Sequence, residues 1–185
     1  MRSRFDRESD LTDFVVEKLP IWEALGYSDW RGWGAFEFEG LFGVPDLVLA
    51  CGRSDRLGRP ILRTLAFEMK LRDWRRALVQ AFRYRAFAQC SYVVMDAACI
   101  RPALACQSEF ARTGIGLIGV DRTSSLSVHI RARVRTPYEH NLRARFAEVA
   151  RSQLYGAQDT NAHDSRSWER DFCFGNEVGS CAAAN

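Results

Sequence analysis

The period of apolar and polar positions changes several times along this chain, and each change marks an element. Leu11, Phe14, Val15 and Leu19 recur at helical spacing and predict a helix over residues 9–19, with Ser9 as N-cap. Pro20 breaks or restarts it, and Gly26 ends the segment. Alternation over 33–39 predicts a half-buried strand. Residues 46–50 are nearly all apolar, as in a central strand. A polar, Gly-containing connection over 53–60 reads as a hairpin, and residues 61–71 form its second arm. Asp73 can cap a helix running to about residue 89. A strand over 91–95, a short helix over 103–112 stopped by Gly114, and strands over 115–120 and 126–134 follow. A closing helix covers 138–154. From Gly156 onward Gln, Asp, Asn, Ser and Gly dominate. Residues 1–155 therefore read as one α/β domain with a mixed central sheet flanked by helices, and 156–185 as a flexible polar tail.

Composition narrows the class. With 185 residues, 47% hydrophobic and 26% charged, the chain can bury a real core. A net charge of +3 permits a nucleic-acid partner without requiring one. No apolar run approaches a membrane span, and Met1-Arg2-Ser3-Arg4-Phe5 lacks a signal-peptide stretch, so a cytoplasmic protein is expected. The six cysteines (51, 90, 99, 106, 173 and 181) form no C-x-x-C pair and read as reduced structural thiols. His129, His140 and His163 fit no zinc pattern. Gly114, Gly116 and Gly119 read as a helix stop and buried strand rather than a phosphate loop. Arg131, Arg133 and Arg135 form a basic stripe, read equally as a phosphate track or a protected edge strand.

The candidate chemistry centres on Lys70. The chain has two lysines against 24 arginines, so a lysine marks a position where a compact ammonium differs from a guanidinium fork. Glu68 and Lys70 are two apart on a strand and leave the same face, while Met69 points into apolar packing. Asp46 opens the preceding strand. If the hairpin pairs antiparallel, Asp46 lies near Glu68, and two carboxylates and an amine converge. Like charges so close favour a bridging cation, and Mg²⁺ suits oxygen ligands while keeping waters. In the next helix Ala77, Ala81, Tyr84 and Ala88 form one stripe at about 100° per residue. Gln80 falls on that stripe, where its amide needs partners, and Arg76 and Arg83 flank it, able to reach phosphates.

Pro45-Asp46, Glu68-Met69-Lys70 and Gln80-Ala81-Phe82-Arg83-Tyr84 resemble the PD-(D/E)xK nuclease superfamily. The Gln-x-x-x-Tyr element looks like its RecB-like and lambda-exonuclease-like branches. The resemblance covers about residues 8 to 96. It implies a restriction-endonuclease-like fold with an α-β-β-β-α-β core plus additional β-α elements. It implies Mg²⁺, with Mn²⁺ as an alternative, held by Asp46, Glu68 and the Met69 carbonyl. Lys70 would position or activate the attacking water. Gln80 and Tyr84 would hold Lys70 or the nucleic-acid backbone. Many members add an acid from the first helix. Glu8 shares the face of Leu11, Val15 and Leu19, whereas Glu17 lies opposite, so Glu8 is favoured; Glu37 and Glu39 are a second source.

The expected function is Mg²⁺-dependent hydrolysis of DNA phosphodiesters, in repair, restriction or mobile-element defence. The alternative is a catalytically silent module of the same fold that binds nucleic acid or a partner protein. No DNA-reading module is recognisable, so a homodimer or a specificity-providing partner is an open expectation.

Overall fold

One long strand organises the molecule. The computed structural model describes residues 5–35, 38, 43–123 and 125–155. Glu37, Glu39, Cys173, Cys181, His163 and the tail from 156 onward lie outside the described residues. β3 (Pro60–Lys70) runs through the sheet interior and is buried without break from Thr64 to Lys70. β2 (Leu47–Ser54) flanks it on one side and β4 (Cys90–Asp96) on the other. β1 (Arg31–Ala35), β5 (Gly116–Asp121) and β6 (Ser125–Ile130) complete a six-stranded sheet of order β1-β2-β3-β4-β5-β6. The β1–β2, β2–β3 and β5–β6 pairs are antiparallel, and β3–β4 and β4–β5 are parallel. The class is mixed α/β.

The helices divide between the two faces. α1 (Glu8–Lys18) and α2 (Ile21–Ala24) pack Leu11, Val15 and Ile21 on Leu65, Phe67 and Met69. On the other face α3 (Trp74–Arg83) lays Trp74, Ala77 and Ala81 against Val93 and Met95. α6 (His140–Tyr155) adds Phe146 to Val48, Ala66, Tyr84 and Phe87. Two short helices, α4 (Arg101–Leu104) and α5 (Gln107–Thr113), cross from β4 to β5. By strand periodicity Glu68 and Lys70 share the face of Ala66. No helix among the described residues is long and apolar enough to cross a membrane.

The β2–β3 hairpin forms as the pattern predicts. Its tip turns on Gly58 at φ 78°, and the Asp55 carboxylate accepts the N–H groups of Leu57 and Arg59.

Several boundaries differ from the pattern: β1 covers Arg31–Ala35 where a strand over 33–39 is expected, β2 runs on to Ser54, and α6 begins at His140. α1 starts one residue earlier than expected, with Arg7 rather than Ser9 as N-cap and the Arg7 N–H donated to Asp10. α3 is capped by Asp73 as expected but ends at Arg83, tightening into a 3-10 turn over Tyr84–Ala86. The early end frees Gln89 for a clasp in which Thr64 and Gln89 exchange main-chain and side-chain hydrogen bonds. The helix expected over 103–112 is two, because Cys106 leaves helical geometry; Gly114 then ends α5 at φ 74°. β6 stops at Ile130, after which Arg133 donates its N–H to Gly114 and Arg135 to Gln89. The Arg131, Arg133 and Arg135 stripe is therefore not one strand edge, and Arg131 bonds the Leu25 carbonyl.

Candidate functional site

The site forms where β2 begins and β3 ends. Leu47 pairs with Phe67, so continuing the register by one step sets Asp46 opposite Glu68. Residues opposite each other in an antiparallel pair share a face, which brings the two carboxylates together. One step further, Pro45 falls opposite Met69 in a hydrogen-bonding position. Proline has no N–H, so the ladder stops there. The Asp46 Oδ2 takes the Met69 N–H instead, at 2.6 Å. The N–H and C=O of a strand residue point to the same side, so the Met69 carbonyl faces this edge too, and Pro45 can offer it no donor. The Met69 side chain is fully buried among the α1 contacts, as the period of two predicts.

Lys70 closes the cluster. Its Nζ lies 2.9 Å from Glu68 Oε1 and 2.7 Å from Glu8 Oε2. Glu8 arrives from the first turn of α1, which packs on the opposite face, so it meets the ammonium at the strand end. The Glu68 side chain is 2% exposed and that of Lys70 11%, whereas Glu8 is 47% exposed. Glu17 is instead exposed beside Lys18, 3.9 Å from its Nζ. Of the two first-helix acids, only Glu8 joins the site.

Electrostatics follow from that burial. Desolvation pushes the Asp46 carboxyl above its ordinary range; the Met69 hydrogen bond and Lys70 only partly offset this, and the Glu8 charge adds to it. Glu68 is also raised, first by burial and then by the Asp46 charge, against the opposing pull of Tyr84 and Lys70. Burial pulls Lys70 down, but its bonds to Glu8 and Glu68 outweigh that and hold its pKa above the ordinary value. The amine is thus a firm cation in this arrangement, rather than the readily deprotonated one its residue type allows.

The contacts of Tyr84 and Gln80 are not the ones the resemblance implied. Tyr84 is buried and donates its hydroxyl to Glu68 Oε2 at 2.5 Å, with the Val44 carbonyl 3.4 Å away. It grips a carboxylate rather than facing Lys70 or a surface. Gln80 makes no hydrogen bond to Lys70; its Oε1 is buried with no partner among the described residues. Arg76 and Arg83 are exposed on α3. The role of Tyr84 had one signal in the sequence, its place one turn after Gln80 on the same stripe, but nothing there named Glu68 as its partner.

Elsewhere, Trp30 packs against the core, with the Arg53 guanidinium 4.6 Å from its ring centroid. Cys51, Cys90, Cys99 and Cys106 are free thiols. Burial pushes Cys51 up to about 12 and Cys90 up to about 11, so both stay protonated and inert. A pocket of about 690 Å³ between α3 and α5, lined by Trp74, Leu78 and Phe82 among others, includes none of Glu8, Asp46 and Glu68.

Among the described residues, no three His, Cys, Asp or Glu side chains form a ready metal cluster. The donor set that does exist is two carboxylates with raised pKa values and a main-chain carbonyl left without a ladder donor. That set suits a hard cation that keeps several waters. The chain matches no protein-family model, no curated protein and no solved structure.

Proposed function

We propose that this protein is a metal-dependent nuclease of the PD-(D/E)xK type, with a restriction-endonuclease-like fold, hydrolysing DNA phosphodiesters. The observation that carries the reading is the meeting of Asp46, Glu68 and Lys70 at one strand end, with the Lys70 ammonium 2.9 Å from Glu68. The order α1, β1, β2, β3, α3, β4 supports it, since it reproduces the α-β-β-β-α-β core apart from the short α2.

Asp46, Glu68 and the Met69 carbonyl would hold Mg²⁺, or Mn²⁺. The bound ion supplies charge neutralisation at the phosphate and a more acidic attacking water. The other tasks belong to the chain. Lys70, held protonated, sets a fixed positive charge where the pentavalent phosphate gains negative charge, and orients the attacking water by donation. Glu8 and Glu68 fix the position of that ammonium. Tyr84 orients Glu68 through Oε2, leaving its second lone pairs for the ion. Gln80 offers an uncommitted carbonyl oxygen on the helix packed against the same strand. Arg76 and Arg83 reach backbone phosphates from the exposed side of α3.

A silent nucleic-acid- or partner-binding module is the second reading. It is favoured by the Lys70 ammonium, which already neutralises Glu8 and Glu68 without an added ion. Incubating supercoiled plasmid with the protein in MgCl₂, with and without chelator, separates the two. Metal-dependent nicking supports the nuclease; none on duplex, single-stranded or branched DNA supports the silent module.

A further inference from the structure

A second basic feature sits beside the carboxylate cluster. β3 and β4 are parallel, and Lys70 pairs with Met95 in register, so the two strands end side by side. In open α/β sheets the loops beyond such carboxyl ends are where ligands gather. Here the loops hold a pocket of about 270 Å³ lined by Arg72, Ala98, Cys99, Arg101 and Pro102. Arg72 follows Lys70 by two residues, so their Cα atoms are at most about 7 Å apart. Arg101 comes from the far wall, at the start of α4.

Both arginines are exposed. Other charged groups nearby are committed: Asp73 caps α3 by accepting the Arg76 N–H, and the fully buried Asp96 accepts the Ala98 N–H. Among the described residues neither the Arg72 nor the Arg101 guanidinium has a hydrogen bond or ion pair. Two unpaired guanidinium forks facing one small pocket present a doubly positive, donor-rich concavity. Its complement is a tetrahedral oxyanion, which arginine binds in bidentate fashion. The apolar Pro102 and Cys99 wall suits the sugar beside such a group better than a free inorganic ion.

The geometry points to Arg72 and Arg101 as a clamp for a DNA backbone phosphate, on the strand whose scissile phosphate would lie at Lys70. This rests on the proposed function for its register with the scissile bond, but not for the binding itself. The clamp holds one strand across the ends of β3 and β4, and its contacts carry no base information.

The test is fluorescence anisotropy of a labelled DNA duplex against the full chain, in chelator to block cleavage, across a NaCl series. Each phosphate contact contributes about 0.9 to the slope of log affinity against log salt. Arg72→Ala/Arg101→Ala frees that one phosphate and is expected to lower the slope by about 0.9 and to weaken binding at low salt at least tenfold. The doubly conservative Arg72→Lys/Arg101→Lys restores the slope but not the full affinity, because the charge returns without the fork. Arg56→Ala, at the opposite end of β3 in the hairpin tip, leaves the slope unchanged. Circular dichroism of each variant checks that it folds. An unchanged slope in the double alanine variant, or no binding by the wild type, overturns the clamp. Binding with the expected slope change but no cutting keeps the clamp and removes the nuclease reading. Cutting with an unchanged slope does the reverse.

Discussion

Tyr84 reaches from the end of α3 to Glu68 in β3, and its hydroxyl donates to Oε2 at 2.5 Å. Both residues are buried, so water cannot replace either partner. Tyr84→Phe leaves a buried carboxylate oxygen without its donor. The expected cost is about 1–3 kcal/mol of stability, read by urea denaturation. The Glu68 carboxyl also loses a group that lowers its pKa. The destabilisation is therefore smaller at acidic pH, where Glu68 is protonated, and an equal loss at all pH values counts against this coupling.

Lys70 balances two carboxylates, one of them buried. Lys70→Met leaves Glu68 an unpaired charge, and breaking a buried pair from one side costs about 3–5 kcal/mol. Lys70→Met/Glu68→Gln recovers much of that loss. Equilibrium unfolding of both variants near neutral pH is the check, and additive losses contradict the pairing.

Asp46 and Glu68 titrate above their ordinary values of 3.8 and 4.5. Between those values and the raised ones, the folded state keeps protons that the unfolded chain has lost. These two groups therefore make stability fall as pH rises through that window, and level off above it. Lys70, raised above 10.5, stays charged throughout and contributes its full share there. In chelator, the stability difference between wild type and Asp46→Asn/Glu68→Gln traces that fall. Adding MgCl₂ reverses the trend: the thermal midpoint rises with metal, and the rise shrinks as pH drops and protons compete for the same oxygens. Asp46→Asn loses most of the rise.

Much of this site was legible in the chain because it obeys simple periods. A period of two put Glu68 and Lys70 on one face and Met69 in the core. The apolar run after Asp46 and the Gly58 turn were enough to imply the hairpin that aligns Asp46 with Glu68. Glu8 was separable from Glu17 by helical phase alone. The partner of Tyr84 was not legible, since it depends on where α3 ends, and no Gly or Pro marks that point. The chain leaves the helix at Tyr84 because Phe87 and Ala88 pack against Val48 and Phe146, and Gln89 bonds Thr64, contacts far away in sequence. The split of the helix at Cys106 and the end of β6 at Ile130 are tertiary in the same way.

Gln80 separates stability from function. Its buried Oε1 has no partner among the described residues, so Gln80→Leu is expected to leave stability unchanged or raise it by up to about 1 kcal/mol. The same variant is expected to cut DNA more slowly, about tenfold or more in kcat/KM. Thermal melts and single-turnover cleavage measure the two. A destabilised variant with full activity points to a packing role alone.

Glu8→Gln removes one of the two charges that hold the Lys70 ammonium, whereas Glu17 touches neither. Cleavage by Glu8→Gln should drop about tenfold to a hundredfold, and Glu17→Gln should match the wild type. Side-by-side rates on one DNA substrate decide this, and equal rates for both variants remove Glu8 from the site.

The central claim is that Asp46, Glu68 and Lys70 form a metal-dependent cutting site. Plasmid nicking in MgCl₂ by the wild type, Asp46→Asn and Lys70→Ala tests it most directly. The wild type is expected to nick plasmid in a reaction that chelator abolishes, with a loss of about a hundredfold or more in each variant. Nicking that persists in chelator, or unchanged nicking by Lys70→Ala, contradicts it.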